Sequence, residues 1–187
     1  MIERFIGRLL RRVHAGEQHL TWNHPTLAHV PDTLKLYSPA FAPGGPIPVK
    51  YAKEGVGENL SPPLDWSFVP ERAVELVLLM EDADAPLRRP VVHLIATGIS
   101  PSLPGLAEGA LGADTGSMRL GHGYRQRVGY LGPAALAGHG PHTYSFQLFA
   151  LGQPVTFDGR PDLAGLLRAL EGKVIARGRL DGTFERP

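Results

Sequence analysis

The sequence predicts a mainly β protein of the sandwich type, and three observations support this fold class. The 187 residues include 23 glycines and 18 prolines. Such residues divide a chain into short segments and favour strands and ordered loops over helices. Several of the segments are apolar runs or alternate between apolar and polar residues, which is the pattern of strands. Since only one internal segment has a helical pattern, we expect many strands and few helices, packed as two sheets.

The N-terminal segment is predicted to be an amphipathic helix followed by a loop. Apolar residues at positions 2, 5, 6, 9, 10 and 13 recur at helical spacing, and Arg4, Arg8 and Arg11 fall on the other side. This stripe favours docking on the chain's own body or on a second copy, as in a homodimer. The alternative is peripheral contact of residues 1–14 with an anionic membrane. We therefore divide the chain into an extension, 1–33, and a ligand-binding domain, 34–187.

Six strands and one further helix are predicted in the domain. The helix spans Asp162 to Arg177, with Asp162 as its N-cap and Gly178 after its last turn. It lies near the C-terminus and should pack a stripe of leucines on the sheet. The strands are expected near 34–37, 47–51, 73–80, 91–97, 143–151 and 179–185.

Titratable side chains lie at one end of each of two apolar strands. Asp82 and Asp84 follow one apolar run, and His142 and Tyr144 begin another. Because alternate residues of a strand share a face, His142 and Tyr144 should lie on the apolar side of theirs. His93 interrupts a third strand, and a buried imidazole needs partners for both nitrogens. We expect these groups to converge on a pocket at a strand end, although His93 could instead be a core histidine bonded to backbone.

Six ordered motifs span most of the chain. They are Ser38-Pro39-Ala40-Phe41, the stretch 57–66, Asp82-Ala83-Asp84-Ala85-Pro86, His93, Gly129-Tyr130-Leu131-Gly132-Pro133 and the stretch 138–144. Together they resemble the phosphatidylethanolamine-binding protein family, and its bacterial, Raf-kinase-inhibitor-like branch in particular. The resemblance covers about residues 34–186. Ala83, Leu94 and Thr143 depart from it, since the family has Pro, Trp and Arg at these positions.

This resemblance implies a fold and a site. The fold is a large central antiparallel sheet packed against a smaller one. The site is a pocket that takes small anions and phosphate-bearing headgroups such as phosphoethanolamine. Carried over position by position, the ligand-binding residues are Asp82, Asp84, Pro86, His93, Gly132, Pro133, His142 and Tyr144.

The chemistry of these residues fits the binding of an anion. Imidazoles, a phenol and free backbone N–H groups at 132–134 can all donate hydrogen bonds to it. Asp82 could orient and charge an imidazole. We predict a protein that binds a small anionic or phosphorylated ligand without catalysis and without a cofactor. The alternative is a regulator that inhibits a kinase or a protease, and a third class is a hydrolase with a His/Asp pocket.

A catalytic serine is not expected. Ser145 should lie on the strand face opposite His142, and Ser61 precedes Pro62 with no base nearby in the sequence. No nucleophile elbow or phosphate-binding glycine loop is present.

A metal site is not expected either. His139-x-x-His142 with Asp82, Asp84 and His93 offers enough ligands for zinc, but strand alternation should turn the two histidines apart. The other histidines are predicted to be surface residues without partners: His14, His19, His24, His29 and His122.

Composition excludes some further classes. A net charge of +1 and the lack of a basic cluster with aromatic residues argue against nucleic-acid binding. The absence of cysteine excludes thiol catalysis, disulfides and cysteine-based zinc sites. Since the N-terminus lacks the continuous apolar core of an export signal, we expect a cytoplasmic protein.

Overall fold

The computed structural model describes residues 2–186. It has two α-helices in this range, α1 (Ile2–Leu10) and α2 (Leu163–Leu170), and short 3₁₀ turns in the loops. The strands are β1 (Lys35–Tyr37), β2 (Leu64–Ser67), β3 (Glu75–Asp82), β4 (Val91–Ile99), β5 (Gly105–Leu106), β6 (Arg119–Leu120), β7 (His142–Leu151) and β8 (Val174–Phe184).

The strands form two antiparallel sheets, which confirms the predicted fold class. The small sheet has the order β1-β2-β5, and the large sheet has the order β6-β4-β3-β7-β8. In the large sheet Asp82 pairs with Val91 on one side and with Tyr144 on the other. The end of β3 and the starts of β4 and β7 therefore meet at one end of the large sheet.

Both faces of the large sheet are buried. One face packs Leu78 and Phe146 against Trp66 of the small sheet. The other face packs Val77 and Phe149 against α2 and against the N-terminal loop. The molecule is thus three layers thick at the large sheet, and burial of apolar surface on both sides stabilises it.

Two predicted elements are wrong in detail. The predicted strand 47–51 is a loop with a 3₁₀ turn at Val49–Tyr51. Pro46 and Pro48 supply no N–H groups, so this segment makes one bridge to Thr183 and no ladder. The predicted helix begins as expected, with Asp162 accepting a hydrogen bond from the Gly165 N–H at 2.7 Å.

That helix ends far short of Arg177. It stops at Leu170, and Gly172 has a φ of 70°, a left-handed conformation that closes helices and favours glycine. The β-branched Val174 and Ile175 then begin β8, which is longer than the predicted strand. Strands β2, β5 and β6 were not predicted, and β5 and β6 have only two residues each.

The N-terminal loop packs against the large sheet, whereas the apolar stripe of α1 does not. Leu27 is buried on the face of the large sheet that packs against α2. Thr21 donates from its backbone N–H and its hydroxyl to the buried carboxylate of Glu81. In contrast, Phe5 and Leu9 on α1 are 70% and 73% exposed. The prediction that the stripe docks on the chain's own body is therefore wrong. Within residues 2–186, no helix has the length and apolar character needed to cross a membrane.

Candidate functional site

A cavity of about 510 Å³ opens at the end of the large sheet where β3 ends and β4 and β7 begin. Asp82 and His142 line it, together with His93 from β4. Pro86, in the loop after β3, contributes to the wall. Four of the eight predicted ligand-binding residues thus line one cavity. The other four, Asp84, Gly132, Pro133 and Tyr144, lie outside its lining.

His93 presents one ring nitrogen to the cavity. Its Nδ1 donates to the Leu131 carbonyl at 2.8 Å, so the backbone bond of the alternative interpretation is present in a residue that also lines the cavity. Its Nε2 has no hydrogen-bond partner among residues 2–186. This atom is not fully buried, so it is accessible from the cavity. Burial lowers the pKa of His93, which favours the neutral ring. A neutral ring with a proton on Nδ1 makes Nε2 a hydrogen-bond acceptor.

His142 has no free nitrogen. Its Nδ1 donates to Oδ2 of Asp82 at 2.8 Å, and its Nε2 lies 2.9 Å from Nδ1 of His139. Nε2 of His139 donates in turn to the Val13 carbonyl at 3.1 Å. A chain of hydrogen bonds therefore runs from the cavity wall to the N-terminal segment.

The prediction that His139 and His142 point apart is wrong. Strand β7 begins at His142, and Gly140 has a φ of 114°, so the alternation of side chains does not extend back to His139. His139 therefore belongs to the site, although its sequence position suggested only a metal-ligand role.

The number of protons in this chain of hydrogen bonds determines the net charge of Asp82, His142 and His139 together. Both of its ends, the Asp82 carboxylate and the Val13 carbonyl, are acceptors, so its three hydrogen bonds require three protons. Two neutral imidazoles supply only two. The third proton makes an imidazolium beside a carboxylate or resides on Asp82, and in both cases the net charge is zero. Asp82 therefore adds no net negative charge to the cavity.

The remaining predicted residues support the wall from behind. The hydroxyl of Tyr144 accepts from the Ala134 N–H at 3.0 Å, and its ring packs edge-on against His93 with centroids 5.1 Å apart. The Gly132 N–H donates to Oδ1 of Asn59 at 2.9 Å. Because Pro133 has no N–H, the prediction of free backbone N–H groups at 132–134 is wrong. Burial raises the pKa of Tyr144 well above its ordinary value, so the phenol keeps its proton.

Asp84 holds the loop after β3 in place. Its Oδ2 accepts from the Thr143 N–H at 2.7 Å, and its Oδ1 lies 3.3 Å from Nδ1 of His14. The prediction that His14 has no partner is therefore wrong. Since this loop carries Pro86, Asp84 positions one wall of the cavity.

Three cations at the cavity were not predicted. Lys53, Arg125 and Arg127 line it, and none of them forms an ion pair within residues 2–186. Lys53 is far from Arg125 and Arg127 in the sequence, and only tertiary folding brings them together. Arg125 and Gln126 have φ values of 53° and 62°, which cost free energy in residues other than glycine. Strain of this kind often accompanies a binding site.

Neither serine considered above is available for catalysis. Ser145 donates to Oδ1 of Asp181 at 2.6 Å, and the Ser61 hydroxyl accepts from the Leu111 N–H at 3.2 Å. For residues 2–186, no set of three or more His, Cys, Asp or Glu side chains is arranged to hold a metal ion.

We expect stability to decrease in mild acid. Burial lowers the pKa of His93, which lies outside the Asp82–His142–His139 chain, so the unfolded protein binds a proton at this ring more readily than the folded one. This contribution of His93 to stability is complete above the ordinary histidine pKa of about 6.5 and is lost as pH falls below it. Thermal unfolding followed by circular dichroism between pH 7.5 and 5 would measure this decline. A His93→Gln variant should show a flatter profile, and an identical decline in both proteins would contradict the assignment.

Known proteins are similar to this chain in sequence and in fold. The family model described as phosphatidylethanolamine-binding protein matches residues 37–185. A Chlamydia trachomatis protein described as UPF0098 is 37% identical, with 82% of this chain and 99% of that protein covered. A Mycobacterium tuberculosis relative described as a lipoprotein, LppC, is 39% identical, with 86% and 76% covered. The crystal structure of the Chlamydia trachomatis homologue CT736 matches with a TM-score of 0.75 and 34% identity, covering 83% of this chain and 99% of that one.

Proposed function

Because this chain belongs to the phosphatidylethanolamine-binding protein family, we propose that its cavity binds a small phosphate-bearing molecule without chemical turnover. The single observation that supports this most strongly is the charge of the cavity. Lys53, Arg125 and Arg127 face it without acidic partners among residues 2–186, and its one acid, Asp82, is neutralised within the hydrogen-bond chain. The lining therefore carries an excess of positive charge, which favours an anion.

The division of polar and apolar groups suggests how the ligand lies. Lys53, Arg125 and Arg127 would hold the phosphate by charge-assisted hydrogen bonds. Leu87 and Leu136 supply apolar wall, which suits the organic part of a phosphate ester. The eight predicted residues keep distinct proposed roles. Asp82, Pro86, His93 and His142 form the wall, and Asp84, Gly132, Pro133 and Tyr144 hold it in position.

The acceptor character of His93 gives the site a preference. A neutral Nε2 cannot donate to a phosphate oxygen, but it can accept from a protonated P–OH group. Phosphate monoesters carry such a proton below their second pKa of about 6, and diesters lack it. We therefore propose that the site prefers the monoanion of a phosphate monoester. The ammonium group of ethanolamine could occupy the same position in a lipid headgroup, which is a diester.

Titration calorimetry at pH 5.5 tests this proposal with two monoanions, methyl phosphate and dimethyl phosphate. Methyl phosphate should bind about fivefold more tightly, because only it can donate to His93, and one hydrogen bond is worth roughly 1 kcal/mol. His93→Leu should remove the difference. Equal affinity of the two ligands for the wild-type protein would contradict the preference, and no binding of either would contradict the proposed function.

Two further measurements complete this test. Glycerophosphoethanolamine, a diester with an ammonium group, distinguishes a lipid headgroup from a free monoester if it binds more tightly than dimethyl phosphate. Steady release of inorganic phosphate from methyl phosphate would place the protein among hydrolases. Inhibition of a kinase or protease and location in the cytoplasm remain predictions from the sequence.

A further inference from the structure

We propose that helix α1 binds the surface of an anionic lipid bilayer. Its apolar side chains point to solvent, with Ile2, Phe5 and Leu9 78%, 70% and 73% exposed. Ile6 on the helix and Val13 just beyond its end are 42% and 44% exposed. Single exposed apolar residues are common, but a contiguous apolar patch marks an interaction surface.

The helix is held against the protein by its opposite side. Gly7 is buried, and a side chain there would collide with the Ala137 carbonyl. Glu3 forms an ion pair with Arg186 near the C-terminal end of the described chain. The apolar face therefore points outward because the backbone is docked at Gly7, and not because the helix is detached.

The positive charge around helix α1 favours an anionic bilayer over a second copy of the protein. Arg4, Arg8, Arg11 and Arg12 are all exposed, and Glu3, the only acidic residue among the first 14, is already paired. Contact with a second copy through this face would bring two sets of four arginines together and would be opposed by their repulsion. An anionic bilayer satisfies both features, since acyl chains accept the apolar face and lipid headgroups attract the arginines.

The docked helix also lowers the cost of binding. Isolated helices of this length are barely stable in water, so an unstructured segment must fold as it binds. Helix α1 spans nine residues and is already formed on the domain. Preorganisation of this kind increases affinity without additional contacts.

Sedimentation of the full chain with vesicles tests the proposal. Vesicles of equal parts phosphatidylserine and phosphatidylcholine should bind the protein, and pure phosphatidylcholine should bind it far more weakly. Arg8→Gln/Arg11→Gln/Arg12→Gln should reduce partitioning about a hundredfold, since each basic residue near an anionic surface contributes about fivefold. Phe5→Gln/Leu9→Gln should abolish binding. Because these five side chains are exposed, circular dichroism should show unchanged folding.

Val74→Gln/Leu103→Gln is the matched control. It also replaces two exposed apolar residues, 52% and 42% accessible, and should bind vesicles like the wild type. Equal vesicle binding by Phe5→Gln/Leu9→Gln and the wild type would overturn the proposal. So would a dimer, seen by light scattering, that this variant converts to a monomer, because the face would then belong to a second copy.

Discussion

Asp82→Ala is expected to lower the free energy of unfolding by about 3–5 kcal/mol, because it removes one partner from a buried charge pair. The carboxylate also accepts hydrogen bonds from the Asp84 and Ala85 N–H groups at 2.8 and 3.0 Å. All three contacts vanish together in this variant. In a protein of this size the melting temperature should fall by roughly 10 °C.

Asp82→Asn should be far milder, and the proton count explains why. The amide oxygen can accept from the same two backbone groups, while the amide N–H donates to Nδ1 of His142. The proton of His142 then moves to Nε2 and donates to His139, so the whole chain stays bonded without a charge. We expect a loss below about 1.5 kcal/mol.

Thermal unfolding of the wild type and the two variants measures this difference. Asp158→Ala, which removes an exposed acid without a hydrogen bond among residues 2–186, serves as the control and should change little. Equal destabilisation by Asp82→Ala and Asp82→Asn would show that the charge pair, rather than the hydrogen-bond chain, stabilises the site.

Local patterns predicted the parts of the site that lie on regular strands. Alternation placed Tyr144 on the core face of β7, where it is completely buried, and Ser145 on the opposite face. The same rule failed at His139, because Gly140 turns the backbone before the strand begins. Alternation describes extended backbone, so it carries no information across such a turn.

Local sequence patterns could not predict where α2 ends, where β8 begins or which cations line the cavity. The predicted helix extended to Arg177, but its leucine stripe stops at Leu170, Gly172 ends the helix, and β8 begins within the predicted helical range. Lys53 and Arg127 reach the cavity only because loops far apart in sequence pack together. A solvated basic residue in a loop has no sequence pattern that distinguishes it from one at a binding site.

If the cavity holds a phosphate group through its positive charge, removing the three cations should eliminate binding. Lys53→Gln/Arg125→Gln/Arg127→Gln should weaken the binding of methyl phosphate about a thousandfold or more. Each hydrogen bond from a charged group is worth at least about 1.5 kcal/mol, and three together amount to about 4.5 kcal/mol. The fold should persist, because these side chains form no ion pairs within residues 2–186.

Lys35→Gln/Arg72→Gln/Arg168→Gln is the matched control, since it removes three exposed positive charges elsewhere on the surface. Calorimetric titration of methyl phosphate into the wild type and both variants is the decisive measurement. A cationic phosphate site predicts wild-type affinity in the control and loss of binding in the cavity variant. Equal affinity in all three proteins would contradict it.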